Sequence, residues 1–303
     1  MKKSSVLPYI TGITMAVLFG LSFLFSKMGL ESLSPALLLG GRFGSAFLIL
    51  CLLWALKIIK LDLKGKPIRG LVVLSIFYPV FSFMLEMEGL KQVSSSQAGI
   101  LVAILPVFTM LLGMIILKER PAVLQMICIV TSVLGTLITI FFASGEGTGG
   151  SLRGILLLLV SVAAGAVYTV LSRKNSVDFT AVEITFFMVG SGAIVFNLIA
   201  IFQGLKNWTL GSDYLGLFHS ASTVGAVLYL GIGASVIAFF CMNYTLSRLP
   251  AANAAVFMNL ATVISILAGV VFLRERLAWY QMLGGLFIIL SVWGTNYLEN
   301  KQK

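Results

Sequence analysis

Residues 89–126 read GLKQVSSSQAGILVAILPVFTMLLGMIILKERPAVLQM, and residues 245–282 repeat this pattern without a gap, 156 positions later. The two stretches are identical at 11 of 38 positions. The identities include Gly113 with Gly269, Leu117 with Leu273, Glu119-Arg120 with Glu275-Arg276, and Gln125-Met126 with Gln281-Met282. Self-similarity over this length indicates one structural unit that is used twice along the chain.

A weaker match, at an offset of 146, extends the repeat toward the start of each unit. It pairs Ser22 with Tyr168 and Ser26 with Ser172. Between the units lies the segment GEGTGG, whose composition is typical of flexible linkers. The predicted organisation is a first five-helix repeat at 1–145, a Gly-rich linker at 146–150, and a second five-helix repeat at 151–303.

The composition is that of a membrane protein. Hydrophobic residues make up 59% of the 303 residues and charged residues 11%, with a mean hydropathy of +1.04, whereas soluble domains carry about 25% charged residues. Ten apolar runs reach the roughly 18 residues needed to cross a bilayer. Numbered as spans 1 to 10, they are 7–30, 35–56, 70–90, 95–117, 123–143, 154–172, 182–203, 219–243, 251–273 and 278–298. The predicted fold class is all-α integral membrane, with ten transmembrane helices as two inverted five-helix repeats.

The loop charges predict the orientation. Ten crossings put both termini on one side, where 14 Lys and Arg residues lie, against 6 on the opposite side. Cytoplasmic loops collect Lys and Arg, so we expect both termini in the cytoplasm, with span 1 too long for a cleaved signal peptide. Because five is odd, the second repeat enters from the opposite face. Inverted repeats allow a cavity to open to each side in turn, which points to a carrier.

The composition excludes several classes of function. One histidine, His219, and three cysteines in different spans, Cys51, Cys128 and Cys241, do not form a multi-ligand metal cluster. No Walker loop is present to bind ATP phosphates. We expect no catalytic residues, metal or cofactor. The net charge of +10 sits at span ends, which is a membrane pattern and not a nucleic-acid one. The expected partners are a small-molecule substrate, the lipid bilayer and, in a homodimer, a second copy of this chain.

Several motifs are shared with a known family. They are Phe19-Gly20-Leu21-Ser22, Arg42-Phe43, the Ala98, Pro106 and Gly113 positions with the 117–121 ending LKERP, and the 166–173 segment AVYTVLSR. On these residues the chain resembles the drug/metabolite transporter superfamily, EamA type, although Phe19 stands where the family has Trp. The resemblance implies a ten-helix plasma-membrane transporter with a central cavity, often an exporter of amino acids, other metabolites or toxic compounds. It does not name the substrate.

Polar residues at helical spacing are the candidate substrate-binding residues, because polar groups in hydrocarbon are costly unless they face a cavity or the bundle interior. The predicted residues are Ser22 and Ser26 in span 1, Tyr78, Ser82 and Glu86 in span 3, Tyr168 and Ser172 in span 6, Tyr229 and Asn243 in span 8, and Asn259 in span 9. For single serines the alternative is helix packing, since small polar residues let helices approach closely.

Two charged residues leave alternatives open. Glu86 either extends to water from the end of its span or lines the cavity, where it would hold a substrate amine or exchange a proton. Arg42 either extends outward or pairs with a carboxylate or a substrate anion. Glu119-Arg120 and Glu275-Arg276 lie at span ends and are predicted to be caps and interfacial ion pairs, not substrate ligands.

Two prolines are predicted helix hinges. Pro79 and Pro106 each remove a backbone donor near the middle of a span and kink the axis. Their repeat partners, Ser235 and Thr262, are not prolines, so we expect the two halves to bend unequally. The matched small residues of spans 4 and 9 favour a close-packed pivot between the halves.

We therefore predict a secondary transporter that exports or exchanges small metabolites, such as amino acids or toxic amphipathic compounds, by alternating access around a midplane cavity. Alternatives are an importer of a small metabolite and a non-transporting membrane scaffold. An intramembrane enzyme is disfavoured, because no nucleophile and base pair or acidic cluster stands within the spans. A channel would favour a ring of like polar groups.

Overall fold

The computed structural model describes residues 6–117, 151–249 and 251–275, together with 277–280, 282–287 and the single positions 127, 131, 134, 135, 138 and 290. Within these residues seven helices are long and apolar enough to cross a membrane. They are Leu7–Leu30 (span 1), Pro35–Ala55 (span 2), Arg69–Leu90 (span 3), Ser95–Ile116 (span 4), Leu152–Asn175 (span 6), Ala181–Lys206 (span 7) and Ala221–Arg248 (span 8). Span 9 forms the helix Ala251–Phe272. Apart from isolated positions and short pieces, spans 5 and 10 and the predicted linker lie outside the described residues.

Side-chain caps set where several helices begin. A free backbone N–H is costly in a membrane, and a hydroxyl at the N-cap accepts one of them. Ser34 accepts from Leu37 at the start of span 2, and Ser94 accepts from Gln97 at the start of span 4. At the start of span 7, Thr180 and Glu183 form a reciprocal capping box. A short helix, Leu210–Gly216, lies in the loop between spans 7 and 8.

The helices of spans 3 and 8 are irregular at equivalent positions. Span 3 is kinked within Ile76–Phe81, where Tyr78 has the non-helical angles φ −149° and ψ 117° and separates two helices. Span 8 contains a π-helical segment, Tyr229–Ile237, which overlaps Ile76–Phe81 at the repeat offset of 156. Such segments are frequent at functional sites. The predicted break at Pro79 is therefore present, but its repeat partner Ser235 also lies in an irregular segment.

Spans 4 and 9 differ in the way that the sequence predicts. Span 4 is interrupted between Ser95–Val102 and Leu105–Leu112, directly before Pro106. Span 9 continues as one helix from Ala251 to Phe272. This pair of helices therefore differs in continuity, and the unequal bending stays a prediction. Whether either break acts as a hinge stays a prediction.

Helix packing is symmetric under exchange of the two repeats. Span 1 packs against spans 8 and 9, and its counterpart, span 6, packs against spans 3 and 4. Span 2 packs against its own counterpart, span 7, and span 4 packs against span 9. Six of the described helices thus form two three-helix bundles. One bundle consists of spans 1, 8 and 9, and the other consists of spans 3, 4 and 6. We call them the first bundle and the second bundle.

Equivalent helices run in opposite directions. Along span 2, Phe47 contacts Gly190 of span 7, whereas Gly40, at the other end of the contact, accepts a hydrogen bond from Asn197. In the other pair, Thr262 donates to the carbonyl of Gly99, and Ser265 donates to that of Ser95. Increasing residue number in one helix is matched by decreasing residue number in its partner. Both pairs are therefore antiparallel.

The hydrogen bonds also define two opposite faces of the molecule. On one face Lys66 pairs with Glu183 at 2.8 Å, and Thr245 donates to the carbonyl of Pro8. On the other face Lys27 donates to the carbonyl of Leu90. The first is called the Lys66 face, formed by residues 8, 62–70, 173–183 and 245–249. The second is called the Lys27 face, formed by residues 27–35, 88–95, 151 and 275.

Candidate substrate cavity

A cavity lies between the two bundles, near the middle of the helices. Its volume is about 50 Å³, which is room for roughly three to five water molecules. The polar residues of its wall are Ser22, Arg42, Tyr78, Ser82, Glu86 and Ser161. Its apolar wall includes Phe19, Phe23, Phe83, Val102, Leu105 and Met258. Pockets for organic ligands occupy about 300–1,000 Å³, so an organic solute requires the helices to move apart.

Arg42 is the most buried charge in the cavity wall, with 1% of its surface exposed. Its Nε donates a hydrogen bond to Ser235 Oγ at 2.8 Å, which ties span 2 to the π-helical segment of span 8. The guanidinium carbon lies 4.4 Å from the ring centre of Phe83 and 5.8 Å from that of Phe239. Neither Nη atom has a hydrogen-bond partner among the described residues. The Nε edge of the guanidinium group is thus held by Ser235, and the Nη edge is unpartnered among the described residues.

Glu86 supplies the opposite charge in the same wall. Of the described residues that line the cavity, Arg42 and Glu86 are the charged ones, and no ion pair within 4.0 Å joins them. In the same wall Tyr78 packs its ring against Phe83, with 4.8 Å between ring centres. The cavity therefore holds a separated positive and negative group within an aromatic wall, and the structure places Glu86 at the cavity.

Two further predicted residues, Ser82 and Ser22, line the cavity. Ser82 and Ser161 exchange hydrogen bonds, each hydroxyl donating to the other residue's carbonyl, at 3.0 and 2.9 Å. This contact joins spans 3 and 6 within the second bundle. Ser22 lines the opposite wall, and its hydroxyl donates to the carbonyl of Phe19 at 2.7 Å. These serines have local partners, so they shape the cavity and reinforce the helices around it.

Three other predicted residues form a separate buried network. Tyr168 and Ser172 of span 6 both donate to Asn243 Oδ1, at 2.6 and 2.8 Å. The amide nitrogen of Asn243 donates to Thr185 Oγ1 at 2.9 Å, which connects spans 6, 7 and 8. The network lies directly behind the cavity, because the ring of Tyr168 packs against that of Tyr78 at 4.6 Å. A direct role of these residues in substrate binding stays a prediction.

The remaining predicted residues lie elsewhere. Tyr229 donates to the carbonyl of Leu18 at 2.9 Å and stacks on Phe25 with 4.0 Å between ring centres. Ser26 is buried, and its hydroxyl has no partner among the described residues. Asn259 belongs to the helix of span 9, but its side chain lies outside what the structure describes. Glu119, Arg120 and Arg276 also fall outside the described residues.

Repeat-equivalent cations join the two bundles at opposite faces. On the Lys27 face, Lys27 Nζ of span 1 donates to the carbonyls of Leu90 and Val93, both at 2.7 Å. On the Lys66 face, Arg173 Nη1 of span 6 donates to the carbonyl of Leu246 at 2.9 Å. Arg173 follows Lys27 at the 146 offset, and Leu246 follows Leu90 at the 156 offset. We call these contacts the Lys27 latch and the Arg173 latch.

Glu275 strengthens the closure of the Lys27 face. Its carboxylate accepts hydrogen bonds from the backbone N–H groups of Ser95 and Ser96, at 2.7 and 2.8 Å, and from the hydroxyl of Ser96. It therefore caps the helix of span 4 across the bundle boundary. An acidic group at a helix N-terminus is favourable both as a hydrogen-bond acceptor and through the helix dipole.

Sequence reasoning left the part played by Arg42 open and did not select Lys27 or Arg173 as functional residues. Arg42 carried a signal, because it is the charged residue farthest inside an apolar run of span 2. Lys27 and Arg173 carried a weaker one, namely their equivalent positions in the two repeats. Their acceptors are backbone carbonyls, which every residue carries, so the sequence does not indicate the pairing.

Comparison with known proteins places this geometry in a family. The model of the EamA-like transporter family matches residues 6–141 and 152–297. The uncharacterized transporter YcxC of Bacillus subtilis (strain 168) is 36% identical over 296 residues, which cover 97% of this chain and 95% of that protein. An uncharacterized transporter of Archaeoglobus fulgidus is 26% identical over 278 residues, covering 91% and 93%. A solved crystal structure superposes with a TM-score of 0.70 at 19% identity, covering 98% of both chains, and shares the fold.

The family match spans both predicted repeats and confirms the resemblance seen in the sequence. The matching proteins are transporters and not enzymes. This chain therefore belongs to the EamA-like transporter family and is a multi-pass membrane transporter.

Proposed function

We propose that the protein is a secondary transporter that exports or exchanges small organic solutes by alternating access. In this proposal ten transmembrane helices form two inverted five-helix repeats. The antiparallel packing of Phe47 with Gly190 and of Gly99 with Thr262 supports the inversion. The family match over 6–141 and 152–297 supports the duplication.

The observation that carries the proposal is a cavity between two bundles that are latched to each other at both faces. Lys27 holds the bundles together on one side of the cavity, and Arg173 holds them together on the other. Release of the Lys27 latch would open the cavity toward one face, and release of the Arg173 latch would open it toward the opposite face. In an inverted-repeat transporter such movements are rocking of one half against the other around a fixed site.

A constriction on the Lys66 side fits this mechanism. Leu105 and Met258 line both the central cavity and a second, smaller apolar cavity of about 10 Å³. Leu246, whose carbonyl accepts the Arg173 hydrogen bond, lines the far side of the smaller cavity. We propose that Leu105 and Met258 separate the substrate from the path toward the Lys66 face.

We further propose that the Lys66 face is cytoplasmic and that the membrane is the plasma membrane. The excess of Lys and Arg on the side of the termini supports this orientation. The substrate classes suggested by the family resemblance are amino acids, other metabolites and toxic amphipathic compounds. A homodimer stays a prediction.

An importer would use the same cavity and latches, and the direction of flux separates it from an exporter. A scaffold would need neither. A charge at the centre of a transmembrane helix costs about 2.5–3.5 kcal/mol on insertion scales, and Arg42 is buried without partners for its Nη atoms among the described residues. A buried charge with one free edge favours a carrier, in which a ligand occupies that edge.

The test has two steps. A resistance screen, which compares cells with and without overexpression across a panel of amino acids, organic acids and cationic amphiphiles, identifies a solute. Proteoliposomes loaded with that solute are then expected to take up its labelled form in a saturable way, with uptake accelerated by the internal load. Uptake that neither saturates nor responds to the internal solute would contradict the proposed function.

A further inference from the structure

Arg42 lines the cavity, and the Nη edge of its guanidinium group has no partner among the described residues. Only 1% of the surface of Arg42 is exposed, and the residue forms part of the cavity wall. Its Nε is occupied by Ser235, while both Nη atoms lack partners among the described residues. A guanidinium in this state presents two parallel N–H donors from its end. A carboxylate accepts two such bonds at once.

The surroundings hold the guanidinium rigid but do not satisfy these donors. The rings of Phe83, Phe43 and Phe239 lie 4.4, 5.3 and 5.8 Å from the guanidinium carbon. An aromatic face attracts a cation electrostatically, yet it does not replace a hydrogen-bond acceptor for the N–H groups. The rings therefore restrict the orientation of the guanidinium group, so that a ligand that reaches the Nη atoms needs little reorientation of the side chain.

Glu86 restricts the kind of anion that fits. It is the acidic residue among the described residues of the cavity wall, and it has no ion pair with Arg42. A ligand with one negative charge neutralises Arg42, whereas an ionised Glu86 repels a second negative charge. An ammonium group on the ligand would instead be attracted to Glu86. The pair thus selects a monocarboxylate and favours one that also carries an amine.

We propose that Arg42 binds the carboxylate of the transported solute end-on through its two Nη atoms, with Glu86 disfavouring dianions. The substrates are therefore small organic monocarboxylates. Aromatic or branched side chains suit the apolar wall of Phe19, Phe23 and Met258. This inference rests on the proposed transport function, because it assigns the ligand of the same cavity.

The first experiment measures binding to the purified protein in detergent micelles by ligand-induced shifts of the unfolding temperature. The probes are matched sets on two skeletons: phenylalanine, phenylalanine amide, 3-phenylpropionate and phenethyl phosphate, and leucine, leucinamide and 4-methylpentanoate. Compounds with a carboxylate are expected to raise the unfolding temperature, and the amides and the phosphate are not. Amides or a phosphate that stabilise as strongly as the acids, or acids that do not stabilise at all, would overturn the assignment.

Two variants test whether Arg42 is the group responsible. In Arg42→Lys the charge remains but the two-pronged donor is lost, and we expect Kd for the carboxylates to rise at least tenfold. Arg153→Gln, at an exposed position outside the cavity, serves as the matched control with unchanged Kd. Carboxylate binding by Arg42→Lys with the wild-type Kd would refute the role of Arg42.

A measurement on the unmutated protein covers the case in which Arg42→Lys does not fold. Phenylglyoxal modifies guanidinium groups that it can reach, which for Arg42 requires the cavity to open during the transport cycle, and mass spectrometry quantifies the modification of each arginine. Measurable modification of Arg42 in the ligand-free protein is the starting point of the comparison. Phenylalanine and 3-phenylpropionate are expected to protect Arg42 at least fivefold and to leave Arg153 unprotected. Equal modification of Arg42 with and without these ligands would contradict the proposal.

The outcomes separate this inference from the proposed function. Saturable counterflow of an uncharged or purely cationic solute, unaffected by Arg42→Lys, would leave the transporter assignment standing and refute the carboxylate site. Carboxylate binding at Arg42 without transport of any bound compound would support the carboxylate site and contradict the transport function.

Discussion

The Lys27 latch provides a quantitative test of alternating access. Lys27 makes two hydrogen bonds, both at 2.7 Å, to the carbonyls of Leu90 and Val93. A hydrogen bond to a charged group contributes about 1.5–3 kcal/mol. Because water replaces these carbonyls when the face opens, we assign this range to the whole latch and not to each bond. Replacing Lys27 by Met removes it.

The free energy converts directly into populations. Every 1.4 kcal/mol changes an equilibrium by a factor of about ten, so Lys27→Met should increase the population open to the Lys27 face roughly 10- to 100-fold. The repeat-equivalent variant, Arg173→Met, removes the contact with Leu246 and should increase opening to the Lys66 face. The two variants therefore shift the protein in opposite directions.

The assay is the rate at which a cysteine in the cavity wall reacts with a membrane-impermeant methanethiosulfonate. Ser22→Cys provides the reporter after the three native cysteines have been replaced by serine. Rates are measured in right-side-out and inside-out vesicles. Lys27→Met is expected to accelerate labelling from one side only, and Arg173→Met from the other side. Lys174→Met removes an exposed cation next to Arg173 and should change neither rate.

Two results would refute this reasoning. One is a change of less than twofold for both latch variants, since the hydrogen bonds would then contribute nothing to the equilibrium between states. The other is acceleration from the same side by Lys27→Met and Arg173→Met. In that case the two contacts would not be gates on opposite faces.

Three further predictions follow from the packing and from the cavity. Gly269→Leu should abolish transport or folding, because a Cβ there meets Ser96 and Glu275. Gly225→Leu is the control and should be tolerated, because a Cβ there meets nothing within 4 Å. Full transport by Gly269→Leu would contradict the pivot of spans 4 and 9. Glu86→Gln should change the pH dependence or the substrate preference of transport at unchanged expression, and wild-type transport at every pH would exclude a role for this carboxyl group. Ser82→Ala removes one of the reciprocal hydrogen bonds and should cost about 1 kcal/mol, seen as a lower unfolding temperature; an unchanged temperature would count against that contact.

The sequence predicts the helices well because hydrophobic length is a local property. Predicted spans 1 and 2, at 7–30 and 35–56, correspond to Leu7–Leu30 and Pro35–Ala55. Span 8 is less accurate, since the helix runs on to Arg248 through the polar residues after Asn243. Those residues find partners within the protein, such as the contact of Thr245 with Thr11, so the helix continues beyond the apolar run.

The candidate site is predicted only in part, because helical spacing reveals which face is polar but not what lies opposite. Ser22, Tyr78, Ser82 and Glu86 share polar faces in the sequence and line the cavity in the structure. Tyr168 and Asn243 also lie on polar faces, but their groups are bonded to each other at 2.6 Å. The partner of a polar residue depends on how neighbouring helices rotate and tilt.

Long-range pairings are the least accessible part. Arg42 and Ser235 are separated by 193 residues, and their contact depends on the π-helical segment Tyr229–Ile237. Nothing in the hydropathy pattern indicates this local change of helix geometry. The irregular segment of span 3 was easier to anticipate, because Pro79 interrupts the helix there.

The opposite orientation of the two repeats is tested most directly by the location of equivalent loops. Lys64, between spans 2 and 3, and Ser212, between spans 7 and 8, are exposed and are replaced by cysteine one at a time in the cysteine-free protein. An impermeant maleimide added to intact cells should label the cysteine at 212, and label the cysteine at 64 only after the cells are permeabilised. Labelling of both positions from the same side of the membrane would contradict the inverted architecture and the carrier mechanism built on it.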